Sequence, residues 1–278
     1  MFVIAETVFG LVSNSLSLIA DAGHNLSDVL ALLLAWGAVA LSRRQPTARR
    51  TFGWGRSTIL AALGNAVSLI VVTGAVGWEA ARRLVEPSPV EPGVMVLVAS
   101  LGVVINASTA LMFLADRHRD LNIRGAYVHM ASDAAVSLGV IVGGLVIALT
   151  GWHWVDAALG LGIAFVILLS TWGLLRASLN LALDAVPDGI DVDRIRGYLE
   201  TLPEVAQVHD LHVWGMSTTT TALSAHLVVP GKDVDDSILA HVADELHDLF
   251  GIGHATLQVE RGDPSHPCPL AAHAGNPR

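Results

Sequence analysis

Five apolar stretches, each long enough to cross a lipid bilayer as a helix, limit what this chain can fold into. A bilayer core needs about 20 apolar residues per helix. Residues 1–12 are apolar too but shorter, and with no basic residue before them they lack the pattern of a signal peptide. We predict that they belong to a truncated first span, giving six spans. The five long stretches cover residues 17–41, 57–84, 93–115, 125–150 and 155–175.

The charged residues divide the chain into two parts. Residues 1–183 hold 11 Lys and Arg against 10 Asp and Glu, whereas residues 184–278 hold 5 against 15 and carry 8 of the 12 His. The net charges are therefore +1 and −10. We predict a multi-pass α-helical transmembrane domain over 1–183, a small soluble domain over 184–262 and a disordered tail over 263–278, where Pro and Gly recur. The acidic part excludes nucleic acid as a partner, and the single Cys excludes an internal disulfide framework.

Basic residues in the short loops predict the orientation of the spans. Five Arg lie between the second and third spans, three lie between the fourth and fifth, and Arg176 follows the sixth. The opposite side has two Arg, Arg82 and Arg83, which lie beside three Glu. Both termini and the acidic domain are thus predicted to face the cytoplasm. The use of 15 Arg against one Lys is typical of a G+C-rich genome, so we expect the inner membrane of a prokaryote.

Two spans carry the same pattern of ionisable residues. His24 and Asp28 stand in HNLSD, and His129 and Asp133 stand in HMASD. An ionisable group in the middle of a bilayer costs about 2.5 to 3.5 kcal/mol on insertion scales and is retained chiefly where it functions or pairs. In each pair four residues separate the His from the Asp, so both side chains leave one face of the helix. Each helix therefore offers two ligands to one ion.

Packed face to face, these two spans bring two imidazoles and two carboxylates together. Such a set suits tetrahedral zinc at distances of about 2.0 to 2.2 Å. Without a thiolate it favours zinc or cadmium over copper(I), and it holds too few oxygens for magnesium or calcium. The alternative is interhelical hydrogen bonding or a proton relay without metal. Asp21, one turn before His24, is read as an outer waypoint, an acceptor for a ligand or a helix cap.

The acidic part has the pattern of a small α+β domain. Residues 191–202 and 235–250 have helical periodicity, and residues 205–214, 219–229 and 255–260 have strand character. The order αββαβ predicts a small sheet with helices on one side. Alternation along the strands places His226 and Glu260 on the polar face of that sheet.

The chain resembles the cation diffusion facilitator family, in particular its zinc and cadmium efflux members of the cobalt-zinc-cadmium resistance type. The similarity runs from about residue 1 to 261. It implies a homodimer in membrane lipid, six spans, a ferredoxin-like cytoplasmic domain, and exchange of divalent metal for protons by alternating access. It also implies that His24, Asp28, His129 and Asp133 form the transport site. The similarity is carried by SNSLSLIADAGHNLSD, RRTFGWGR, DLNIRGAYVHMASDA, VHDLHVW and SAHLVV.

The resemblance further implies a regulatory metal site in the cytoplasmic domain. Its ligands would be His209 or His212, His226 and Glu260, with His254 as a possible fourth. A solvated or hydrogen-bonded His face is the alternative. We expect His241 and His247 on the exposed side of their helix. Three other segments are weaker candidates. The loop 43–56 has no His, Asp or Glu, and the loop with Asp116, His118 and Asp120 is a poor site. The tail with His266, Cys268 and His273 would at most deliver metal to the domain.

The sequence thus predicts a zinc and cadmium efflux transporter that is not an enzyme and needs no organic cofactor. Zinc would be both the transported ion and a regulatory ligand. The competing hypotheses are an intramembrane metalloenzyme and a channel or non-transporting zinc sensor on the same scaffold. An enzyme would need an open coordination position and a general base, whereas four protein donors fill the zinc shell.

Overall fold

The structure is a computed structural model and describes residues 2–115, 121–203, 205–230 and 236–271. Five of the helices in these ranges are long and apolar enough to span a membrane, and the first helix, α1 Phe2–Val12, is apolar but shorter. Each of the five long predicted spans lies within one helix, apart from residues 114 and 115 of the fourth span. Most of the helices are longer than the predicted spans, because the apolar residues mark only the part of a helix that crosses the bilayer core. The helices are α1 Phe2–Val12, α2 Leu16–Ser42, α3 Ser57–Val85, α4 Pro92–Phe113, α5 Leu121–Thr150 and α6 Trp154–Ala182.

The described chain forms two compact units. The first comprises Met1–Leu34 and Gly64–Leu174, and the second comprises Ala35–Leu63 and Leu175–Arg278. In the first unit a buried apolar cluster joins α4, α5 and the start of α6. Gly143 and Gly144 allow the close approach, since a Cβ on Gly144 would lie 2.7 Å from Val96.

A buried carboxylate from α6 fixes the beginning of α2. Asp156 accepts hydrogen bonds from the backbone N–H groups of Leu16 and Ser17 at 2.6 and 3.2 Å. The hydroxyls of Ser15 and Ser17 donate to the same carboxylate, both at 2.6 Å. The first N–H groups of a helix have no partner within the helix, and the helix dipole favours negative charge there. Asp156 therefore anchors the helix that carries His24 and Asp28.

Replacing Asp156 with Ala is expected to lower the free energy of unfolding by about 3 kcal/mol, because buried donors lose a charged acceptor. Thermal loss of helical circular dichroism in detergent micelles measures this. The Asp156→Asn variant keeps one acceptor oxygen and should lose less stability. An unchanged midpoint for Asp156→Ala would contradict the anchoring role.

The cytoplasmic domain has the predicted order αββαβ. Its core comes from one face of the sheet and from two helices, α7 Val192–Thr201 and α8 Asp236–Phe250, with Leu199, Leu223 and Leu246 fully buried. At the end of α8, Phe250 packs against the core and Leu249 is 62% exposed. The elements are α7 Val192–Thr201, β1 Gln207–Gly215, β2 Thr221–Val228, α8 Asp236–Phe250 and β3 Ile252–Glu260.

The three strands form a sheet of order β1-β2-β3. β1 and β2 are antiparallel, and β2 and β3 are parallel through α8. The register places His209 opposite His226 and His226 opposite Gln258. A bulge interrupts β1 between His209 and His212, and Asp210 within it has φ of 49°. This bulge decides where the two His side chains of β1 lie.

The loop before α3 contacts the cytoplasmic domain within the second unit. Arg56 forms an ion pair with Asp184, which follows α6. The Thr218 N–H donates to Thr58 Oγ1 at 3.0 Å, and the Phe52 ring meets the edge of His254 with 5.9 Å between centroids. The start of α3 is therefore tied to the domain that follows α6.

Candidate metal sites

Four side chains from α2 and α5 converge in the first unit, and we call them the membrane cluster: His24, Asp28, His129 and Asp133. His24 Nε2 lies 3.8 Å from both Asp28 Oδ2 and Asp133 Oδ1. His129 Nε2 lies 3.2 Å from Asp28 Oδ2 and 3.6 Å from Asp133 Oδ2. The structure thus brings together all four residues that the two motifs single out, with each His facing the Asp of the other helix as well as its own.

The His–Asp distances in the membrane cluster are close to the donor spacing around a tetrahedral ion. Bonds of about 2.0 to 2.2 Å place tetrahedral donors about 3.3 to 3.6 Å apart, close to the observed 3.2 to 3.8 Å. Asp28 Oδ2, Asp133 Oδ2 and His24 Nδ1 are buried and have no hydrogen-bond partner among the described residues. Buried polar atoms are normally paired. One ligand atom each of His24, Asp28 and His129 lies within 4.8 Å of the others, and Asp133 faces His24 with Oδ1 and His129 with Oδ2.

A second buried polar group adjoins the membrane cluster. Asp21, 1% exposed, accepts a hydrogen bond from the Ser137 hydroxyl at 3.1 Å and lies within hydrogen-bonding reach of the Glu6 carboxyl. Glu6 is fully buried, accepts from the Asn25 amide at 3.0 Å, and its Oε1 finds no donor in the described part of the chain. Asp21 is the sixth residue of α2, which begins at Leu16 after Asn14 and Ser15. The interpretation of Asp21 as a helix cap is therefore wrong.

Glu6 was missed by the sequence analysis. A lone acidic residue in a short apolar helix gives no spacing signal, and only its burial beside Asp21 singles it out. Two facing carboxylates can hydrogen-bond only when one of them carries a proton.

A further set of donors converges on the polar face of the cytoplasmic sheet, and we call it the cytoplasmic cluster: His209, His226, Glu260 and Cys268. One ligand atom from each lies within 4.8 Å of those of the others. Glu260 bridges the two His, with Oε2 at 3.1 Å from His209 Nε2 and Oε1 at 2.8 Å from His226 Nδ1. His209 is 1% exposed, and its Nδ1 has no hydrogen-bond partner within the described ranges.

Hydrogen bonding favours the ionised form of Glu260. Desolvation acts to raise the pKa of its carboxyl, but hydrogen bonds with Cys268, His209 and Gln258 outweigh it and lower that pKa below its usual value. The hydrogen bond to Glu260, with desolvation, raises the pKa of the Cys268 thiol. Without metal the thiol is therefore a donor to a carboxylate that is already charged.

Two residues proposed for the cytoplasmic site lie elsewhere. His212 is on the far side of the bulge, its side chain is 64% exposed, and its Nε2 lies 3.0 Å from Asp210 Oδ1. His254 is exposed and six residues before Glu260, which amounts to about 20 Å along a strand. Of the His of HDLH, His209 thus joins the cluster. His241 and His247 have side chains 70% and 69% exposed, as expected.

Comparison with known proteins identifies the family. Residues 1–181 match the cation efflux transmembrane domain, and residues 187–262 match the cation efflux protein cytoplasmic domain. The chain is a member of the cation efflux, or cation diffusion facilitator, family. This family consists of cation transporters, which excludes the metalloenzyme hypothesis.

Several members of the cation efflux family are similar over nearly the whole chain. The zinc transporter ZitB of Escherichia coli is 40% identical over 262 residues, which cover 93% of this chain and 83% of ZitB. The metal cation efflux system protein CzcD of Cupriavidus metallidurans is 39% identical, covering 93% and 82%. The cadmium, cobalt and zinc/H(+)-K(+) antiporter of Bacillus subtilis is 33% identical, covering 95% and 86%. This chain is accordingly a multi-pass membrane transporter with a cytoplasmic domain.

Some candidates of the sequence analysis fall outside the described residues. These are the loop residues Asp116, His118 and Asp120, and His273 of the tail. His266 lies in the described part of the tail, where its Nδ1 is 3.4 Å from Asp263 Oδ2 and its side chain is 85% exposed. Within the described part of the tail, residues 263–271, Cys268 reaches the cytoplasmic cluster of this cation efflux protein.

Proposed function

We propose that this chain exports zinc, and also cadmium, from the cytoplasm in exchange for protons, by alternating access. The observation that carries the proposal is the membrane cluster. Ligand atoms of His24, Asp28 and His129 lie within 4.8 Å of one another, Asp133 has an oxygen 3.8 Å from His24 and another 3.6 Å from His129, and two of the carboxylate oxygens lack hydrogen bonds. We assign His24, Asp28, His129 and Asp133 as the ligands that hold the ion during transport.

The donor set supports zinc and cadmium as substrates. Imidazole and carboxylate suit zinc, whereas copper(I) favours thiolate or thioether ligands. The relative from Escherichia coli is named a zinc transporter, and the one from Bacillus subtilis is named for cadmium, cobalt and zinc. On this basis we propose that zinc and cadmium are also the ions that this chain transports.

Competition between metal ions and protons for the same ligand atoms would couple metal transport to proton transport. Metal binds carboxylates and neutral imidazoles, so binding displaces protons and protonation displaces metal. Protons entering from outside would release zinc there and then leave toward the cytoplasm, with His24 or His129 as the carrier. The Bacillus subtilis relative is named as an antiporter that involves H(+), which supports this exchange.

Zinc flux into everted membrane vesicles tests this function. Zinc is expected to accumulate when the vesicle interior is made acidic, and a protonophore should abolish the accumulation. Vesicles without the protein are the control. Passive equilibration that ignores the pH gradient would indicate a channel, and absence of flux would indicate a sensor; either result contradicts the proposal.

We further propose that zinc at the cytoplasmic cluster regulates transport in a homodimer. Residues 184–278 carry a net charge of −10, so two such domains repel each other. Bound zinc would reduce this repulsion and draw the domains together. In this scheme residues 1–183 transport the ion, residues 184–262 sense it, and Arg56 with Asp184 links the two functions through α3.

A further inference from the structure

The segment after β3 folds back over the cytoplasmic cluster. Gly262, two residues after the end of β3, has φ of 68°, in the left-handed region that favours glycine. Cys268 Sγ then lies 3.5 Å from His226 Nδ1 and within hydrogen-bonding reach of Glu260. The segment and the ends of the strands border a cleft of about 600 Å³. The thiol is therefore held against residues that are distant from it in sequence.

Without Cys268 the cytoplasmic cluster would offer three donors. Two imidazoles and one carboxylate leave one of the four tetrahedral positions open, as in catalytic zinc sites, whereas structural zinc sites are closed by four protein ligands. The cluster side chains contact one another, but Nδ1 of the buried His209 has no hydrogen-bond partner in the described ranges. A fourth donor from the tail would close the shell.

We propose that Cys268 is the fourth metal ligand of the cytoplasmic cluster, so that metal binding fastens the tail to the sheet. This inference rests on the proposed regulatory site and adds its ligand and its selectivity. The divalent ion forms a bond to sulfur, and the thiol proton passes to solvent. Because thiolate favours soft ions, the closed site takes cadmium and zinc and rejects magnesium and calcium.

The chain offers a direct test, because Cys268 is its only cysteine. Any thiolate-to-cadmium charge-transfer absorption in the ultraviolet must come from this residue. The full-length protein is used with Asp28→Ala and Asp133→Ala, which disable the membrane cluster. Titration with cadmium is expected to give the band at one equivalent per chain. Cys268→Ser should remove the band and weaken cadmium binding at least about tenfold.

Glu260→Ala is the second variant, and circular dichroism verifies that each variant is folded. The band should disappear with Glu260→Ala, because the thiol binds metal only together with the sheet residues. A band that persists there with unchanged cadmium affinity would mean that Glu260 and the thiol do not hold the same ion, which overturns the inference. Calorimetric binding without any band would overturn the inference but leave the regulatory site standing. Absence of cadmium binding altogether would overturn both.

Discussion

Replacing Asp133 with Ala is expected to abolish zinc transport, lowering the flux by more than about 100-fold. Loss of even an outer-shell partner typically costs 10 to 100-fold in metal affinity, and Asp133 is assigned as a direct ligand. Its side chain is 5% exposed, and its oxygens face both His24 and His129. Removing it leaves three donors, and Asp28 becomes the one carboxylate of the cluster that faces the two imidazoles. The measurement is pH-driven zinc uptake by everted vesicles.

The neighbouring residue supplies a matched control for Asp133. Ser132 is exposed, and its hydroxyl bonds to the Val128 carbonyl of the same helix. Ser132→Ala should leave uptake unchanged. We expect Asp133→Ala to keep the chromatographic size of the parent, since the variant removes a buried charge rather than packing. Uptake retained by a folded Asp133→Ala protein would refute the assignment of the transport site.

Replacing Glu260 with Ala is expected to weaken zinc binding at the cytoplasmic cluster by more than about 100-fold, again because a direct ligand is lost. Glu260 contacts both His209 and His226, so the substitution removes the carboxylate that these two ligands share. The zinc-dependent approach of the two cytoplasmic domains should disappear as well. Metal titration measures the first effect, and small-angle scattering of the solubilised protein with and without zinc measures the second.

The control for Glu260 must account for charge. Glu260→Ala removes one negative charge and so weakens the repulsion between domains by itself. Glu200→Ala removes the same charge from an exposed position on α7. That variant should keep both zinc binding and the zinc-dependent approach. Equal inter-domain distances with and without zinc in the parent protein would show that zinc does not drive domain closure.

The membrane cluster could be predicted because its information is local. His24 and Asp28 lie one helical turn apart, as do His129 and Asp133, so helical geometry alone places each pair on one face. Because ionisable groups are costly in the middle of a bilayer, two such pairs in separate spans indicate that the four residues act together. The order of the cytoplasmic elements was predictable for a similar reason, since the period of the apolar residues distinguishes helix from strand.

The cytoplasmic cluster depended on features that carry no local signal. A bulge with Asp210 at φ of 49° separates His209 from His212. The sequence HDLH does not indicate which of these two His side chains lies in the cluster. His254 and Glu260 share a polar face by alternation, yet six residues of extended strand hold them apart.

By itself, the sequence determined the membrane helices, the paired His and Asp on α2 and α5, and the small α+β domain. These follow from hydropathy, helical spacing and alternation, which act over a few residues. Only the tertiary structure decided that Glu6 meets Asp21, that Asp156 anchors α2, and that Cys268 returns to the sheet. Such contacts join residues far apart in the chain, so they depend on turns, bulges and helix packing rather than on the pattern of any one segment.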